Sequence, residues 1–144
     1  MRKLFVAADV YMILGLISGL YYRELTKAND FTGDTQLSVV HTHILALGML
    51  FFLIALALEK LFTLSEGKLF TAFFWVYNAG LALTVGLMIV RGTMTVLGHE
   101  AGPALDGLSG LGHITITLGL IFFFINLGKR VEAEVKEKDK AAAA

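Results

Sequence analysis

No cysteine occurs anywhere in the 144 residues, which excludes disulfides, thiolate-held clusters and a thiolate haem ligand. Proline occurs once, at Pro103. Charge is scarce too: 17% of residues are charged, they sum to zero, and no basic block interleaved with aromatics is present, so no nucleic-acid partner is expected. What fills the chain instead is apolar sequence, at 56% hydrophobic residues with a mean hydropathy of +0.72. A soluble domain of this length has to supply more wet surface than that.

A membrane-spanning helix needs about 20 mostly apolar residues. Four stretches qualify: Leu4–Tyr22, Leu37–Leu58, Leu69–Val90 and Leu108–Leu127. The predicted fold is therefore all-α, an integral membrane four-helix bundle in the lipid bilayer, with residues 1–128 as one transmembrane domain. Residues 129–144 form a charged tail, read as a short helix or a disordered end, and its terminal Ala141–Ala144 run reads as an artificial extension. The first stretch is read as a retained helix, because Leu20-Tyr21-Tyr22-Arg23 lacks the small-residue pattern of a signal-peptide cleavage site.

With four spans, the amino terminus, the middle connection and the tail share one side. That side carries Arg2, Lys3, Lys60, Lys68, Lys129, Arg130, Lys136, Lys138 and Lys140, against Arg23, Lys27 and Arg91 on the other. The bias predicts that both termini are cytoplasmic. Tyr21 and Tyr22 fit an outer aromatic belt, and Trp75 and Tyr77 an inner one. Asp34 is a candidate cap for the second helix and Asp106 for the fourth, with a break between Gly98 and Pro103. Glu59–Lys68 reads as a tight turn that makes helices two and three antiparallel neighbours. Gly15 and Gly19 read as a close helix-packing pair.

Ionisable groups inside hydrocarbon cost several kcal/mol and so mark candidate functional sites. Here they are Asp9, His41, His43, Arg91 and His113, with Arg23 and His99 near the outer boundary. Asp9 is expected to pair with a polar group such as Asn126. His41 follows Asp34 by seven residues and His113 follows Asp106 by seven, which predicts a common depth about 10 Å below each cap. Arg23 and Arg91 end the two outgoing helices, so two histidines and two arginines are expected to converge on one outer pocket.

On a regular helix His41 and His43 point roughly 200° apart and cannot hold one ion together. The His41 stripe contains Ser38, Gly48, Ala55 and Glu59, and His113 shares one with Ser109, Gly110 and Thr117. These small or polar stripes favour His41 facing His113. The bulkier His43 stripe (Leu47, Leu50, Ile54) suits lipid or a neighbouring subunit, which leaves a homo-oligomer open. Two histidines at one depth on separate helices suit the axial positions of haem b, with His43 as the alternative ligand. Arg91 and Arg23 would hold its propionates. A rival site uses His41, His99 and His113 for copper or zinc, and a third reading makes the histidines hydrogen-bonding groups in a non-catalytic assembly protein.

The runs His41-Thr42-His43-Ile44-Leu45-Ala46-Leu47-Gly48-Met49 and Gly110-Leu111-Gly112-His113-Ile114 resemble a family of small bacterial four-helix membrane proteins, a domain of unknown function. The resemblance implies a multi-pass protein of the bacterial cytoplasmic membrane and no particular activity. The segment Val39–Gly48 locally resembles the His-x-His helix of haem-copper oxidase catalytic subunits, where the pair serves two haems on opposite faces of one helix. That resemblance implies that His41 and His43 are each axial ligands. Four helices stand where the oxidase has twelve, and three further histidines for a copper centre are missing. The expectation is a haem-binding relative that serves electron transfer with a redox partner, or that senses haem or a diatomic gas.

Overall fold

The structure is a computed structural model that describes residues 1–100 and 102–143, apart from the side chains of Pro103, Ala104 and Asp106. It contains four long helices: α1 (Arg2–Ala28), α2 (Leu37–Phe62), α3 (Phe70–Val96) and α4 (Pro103–Ala142), with a 3₁₀ turn at Leu64–Glu66. All four are long and apolar enough to cross a membrane. No strand occurs among the described residues.

Every helix outruns its apolar stretch, because the flanking Arg, Lys and Glu residues are themselves good helix formers. The charged tail simply continues α4 to Ala142, and Ala144 lies outside the described residues. The helices stop where the backbone turns left-handed. Asp30 and Thr63 both have φ of 48°. Gly98, at φ 77°, closes α3 in a Schellman arrangement, with His99 N–H on the Met94 carbonyl at 2.9 Å. Two expected caps are corrected. Helix α2 begins at Leu37 with Thr35, not Asp34, beside its first turn: Thr35 Oγ1 accepts from Leu37 N–H at 3.4 Å and donates to the Gly92 carbonyl at 2.9 Å. Helix α4 begins at Pro103, a favoured first helical residue, so Asp106 is already inside it, and its side chain lies outside the described residues.

The helices pack as two hairpins. In the first, a Cβ on Gly15 would come within 2.5 Å of Leu45, and Gly48 lies under the Tyr11 ring. In the second, Gly80 lies against the Ile116 backbone and Gly119 against that of Tyr77, where an added Cβ would come within 2.6 and 2.8 Å. Small residues thus set both close approaches, as packing in hydrocarbon requires. The hairpins meet through Phe51, Phe52, Phe73, Tyr77 and Phe123, with Phe51 and Phe123 rings 5.3 Å apart. Tyr77 belongs to this core, whereas Trp75 is exposed. No Cα of α1 lies within 8 Å of one of α4 among the described residues.

Helix α2 is not a regular α-helix. From Ile44 to Leu50 it widens into a π-helix, and Tyr77 Oη donates to the Leu47 carbonyl at 2.8 Å. The buried residues Val40, Ile44, Gly48 and Phe52 recur every four positions. An α-helix would drift by roughly 40° over each such step. The wider π turns hold the four in line.

Candidate functional site

The end of the bundle opposite the α2–α3 turn carries all four histidines. The π-helix decides which way two of them point. With four-residue steps kept in line, His43, Leu47 and Phe51 form one stripe, and Phe51 is the residue that meets Phe123 of α4. His41 lies on the other side of α2, where its Cβ and Cγ would be 3.7 and 3.8 Å from a Cβ on Gly19 of α1. His43 thus shares the side of α2 that carries Phe51, and His41 the side that meets α1. The side of α2 that carries His41, Gly48 and Glu59 is the one that meets α1, at Gly19, Tyr11 and the amino terminus.

His43 and His113 share a second property. Each directs Nδ1 to the carbonyl four residues earlier, His43 to Val39 at 2.8 Å and His113 to Ser109 at 3.0 Å. A carbonyl only accepts, so both Nδ1 atoms donate, and a neutral imidazole so held keeps its Nε2 lone pair directed away from the helix backbone. This is the second-shell bond that metal-bound imidazoles ordinarily make. His41 differs: its Nδ1 is buried and has no hydrogen-bond partner. His113 is exposed at the edge of a shallow cavity of about 360 Å³ on α4, with Ile114, Thr117, Leu118 and Ile121.

Depth can be measured from the Phe51–Phe123 contact. His113 lies ten residues outward of Phe123, about 15 Å along α4. His43 lies eight outward of Phe51, at most about 12 Å. Between these levels no Cα of α2 lies within 8 Å of one of α4 among the described residues, and only the Phe51–Phe62 part of α2 comes that close. Arg91 follows Thr84 by seven residues, two turns along α3, and Thr84 packs on Gly112 of α4. Arg91 thus sits on the α4-facing stripe of α3, outward of the level of His113.

The wider convergence is not found. Arg91 lines a cavity of about 410 Å³ with Thr95, Gly98, His99 and Glu100, and neither His113 nor Arg23 is part of it. Arg23 is exposed and pairs with Glu24 at 3.0 Å. Among the described residues no three His, Asp or Glu side chains are grouped to hold a metal ion, so His41, His99 and His113 are not brought together. Nor does Asp9 reach Asn126. It is exposed on α1 beside Met12, Met49 and Leu53, while Asn126 Nδ2 donates to the Leu64 carbonyl at 2.9 Å.

Against this geometry the known families give one match. Residues 1–130 fit the family described as protein of unknown function (DUF2871). The chain belongs to this family. No curated protein and no solved structure matches it. The family therefore covers all four helices and both histidine segments without assigning them a role.

Sequence reasoning passed over Glu59 as one polar member of a stripe. It is buried at 5% exposure, and its carboxylate accepts from Ser65 N–H at 2.8 Å and Ser65 Oγ at 2.5 Å. The Tyr11–Asn78 hydrogen bond at 2.7 Å, joining α1 to α3, was also not foreseen. The signal available for both was a polar residue on an otherwise apolar helix.

Proposed function

We propose that this protein binds a b-type haem between α2 and α4, towards the end that carries the histidines, and uses it for electron transfer. His43 and His113 serve as the axial ligands, and Arg91 holds a propionate. The observation that carries the reading is the matched state of the two imidazoles: Nδ1–H fixed to a carbonyl and Nε2 free. The uncontacted stretch between the outer halves of α2 and α4, walled by apolar residues, suits a flat macrocycle. Arg91 supports it further, since a guanidinium two turns outward of the Thr84–Gly112 contact matches the reach of an outward propionate. The local likeness of Val39–Gly48 to the oxidase His-x-His helix points the same way. Two imidazoles leave iron no open position, which favours electron transfer over gas sensing. The basic bias of the turn end supports a cytoplasmic location for both termini in a bacterial cytoplasmic membrane.

Oxidised and dithionite-reduced spectra of the detergent-purified protein, with metal analysis of the same sample, test the reading. A sharp Soret band with resolved reduced bands is expected, at about one haem per chain or per pair of chains. A colourless protein from haem-replete cells would sink it. Copper or zinc in that colourless sample would revive an imidazole metal site shared between copies.

A further inference from the structure

At the opposite end, a cavity of about 340 Å³ opens between the α2–α3 turn and α4, lined by Glu66, Gly67, Lys68, Leu69, Asn126 and Lys129. Small-molecule sites begin at about 300 Å³, so the space is large enough for a polar headgroup. Its charges are unequal in an informative way. Glu66, the only carboxylate in the lining, is already taken by Arg130, whose Nη2 lies 2.8 Å from Oε2. Arg130 is itself committed to the turn, donating also to the Phe62 carbonyl at 3.0 Å and to Thr63 Oγ1. Lys68 and Lys129 make no ion pair among the described residues, although other tail lysines do: Lys136 pairs with Glu132 and Lys138 with Glu134. The cavity thus presents two uncompensated ammonium groups beside a neutralised carboxylate. Asn126, 3% exposed and tied through Nδ2 to the Leu64 carbonyl, forms a rigid wall.

The position fits one ligand. Lys68 immediately precedes the apolar run of α3, and Lys129 follows that of α4 by two residues. Both therefore sit at the hydrocarbon boundary, where lipid phosphates lie. Phe124 on α4 and Trp75 on α3 are among the most exposed large side chains and offer apolar surface on the hydrocarbon side of that boundary. We infer that this cavity binds the phosphate headgroup of an anionic phospholipid, with Lys68 and Lys129 as its ligands. Basic pockets between membrane helices recognise such headgroups by this chemistry. The inference is independent of the haem reading, since the two sites occupy opposite ends of the bundle.

The test uses the full-length chain in neutral detergent, titrated with phosphatidylglycerol, phosphatidylcholine or glycerol phosphate, and reads the melting temperature and the lipid retained through purification. Phosphatidylglycerol should raise the melting temperature by several degrees, and the other two should not. The shift and the retained lipid should fall at least threefold in K68Q/K129Q. They should survive in K136Q/K138Q, which removes the same charge from paired lysines. If the double variant does not fold, K68Q and K129Q singly should each lose about half the shift, and K68R/K129R should keep it. Equal effects of phosphatidylcholine would overturn the proposal, as would an equal loss in the tail variant. A full response to glycerol phosphate would overturn the lipid as its source.

Discussion

At the turn end of the bundle Glu59, Asn126 and Arg130 are spent on other parts of the chain, whereas Lys68 and Lys129 make no ion pair among the described residues. Glu59 holds both the backbone and the hydroxyl of Ser65, Asn126 holds Leu64, and Arg130 bonds to Phe62, Thr63 and Glu66. These bonds tie α2 and α4 to one short turn. Among the described residues the histidine end is joined by Thr35 to Gly92 and by the Tyr21–Thr93 hydroxyl pair at 2.9 Å. There the outer half of α2 stands clear of α4, and the imidazoles keep unused nitrogens. Both ends carry costly polar residues on apolar helices, and the turn end uses its buried ones internally. Saturated polar groups fix a structure, and unsaturated ones at membrane depth are available to a ligand. On that contrast rests the proposal that the histidine end holds the cofactor.

The contrast breaks most visibly if the histidines prove structural. In His43→Ala and in His113→Ala the bound haem should fall by about 90% or more, whereas the unfolding free energy of the haem-free protein in detergent should move by no more than about 1 kcal/mol, since His113 is exposed and His43 half-buried. A stability loss without loss of the Soret band in either variant would reverse the assignment. The mirror experiment is Glu59→Ala. It strips two donors of a buried ionic acceptor, and at roughly 1.5–3 kcal/mol per charged hydrogen bond it should cost about 3 kcal/mol while leaving haem content per folded molecule unchanged. Denaturant unfolding in micelles reads the first quantity and the pyridine-haem assay the second. Smaller still should be Gly80→Val. Its Cβ would meet the Ile116 backbone and push α3 from α4, at about 1–3 kcal/mol, measured by the same unfolding.

The four spans were legible because a run of about 20 apolar residues has few other uses. The Gly15–Gly19 packing pair was legible for a similar reason: small residues four apart on an apolar helix have little else to do, and Gly15 does receive Leu45. Helix ends were read short, since hydropathy falls at Arg23 or Lys129 before helical propensity does. Asp34 was a reasonable cap by residue type, but Thr35 serves because its hydroxyl also reaches Gly92, a partner distant in sequence. Asp9 and Asn126 were paired on polarity alone, and they belong to two helices that never meet. The π-helix was the costliest omission. Nothing local announces it, since Tyr77 lies thirty residues away from the Leu47 carbonyl it holds. Every stripe drawn across Ile44–Leu50 with regular periodicity is therefore shifted in phase.

The His41–His43 pair supplies the finest test, and the one with the smallest expected effect. His41 and His43 are two residues apart, so composition and depth barely distinguish them. The structure does so through contacts: His41 lies by Gly19 of α1 with Nδ1 buried and unpartnered, while His43 shares a stripe with Phe51. Replacing His41 with leucine removes a buried nitrogen that earns no hydrogen bond and keeps most of the volume. The two effects nearly cancel, so stability should stay within about 0.5 kcal/mol or rise slightly, and the haem spectrum should be unaltered. A haemless His41→Leu beside a haem-bearing His43→Ala would instead make His41 the ligand, on the side of α2 that meets Gly19 of α1, and would overturn His43 as the axial residue.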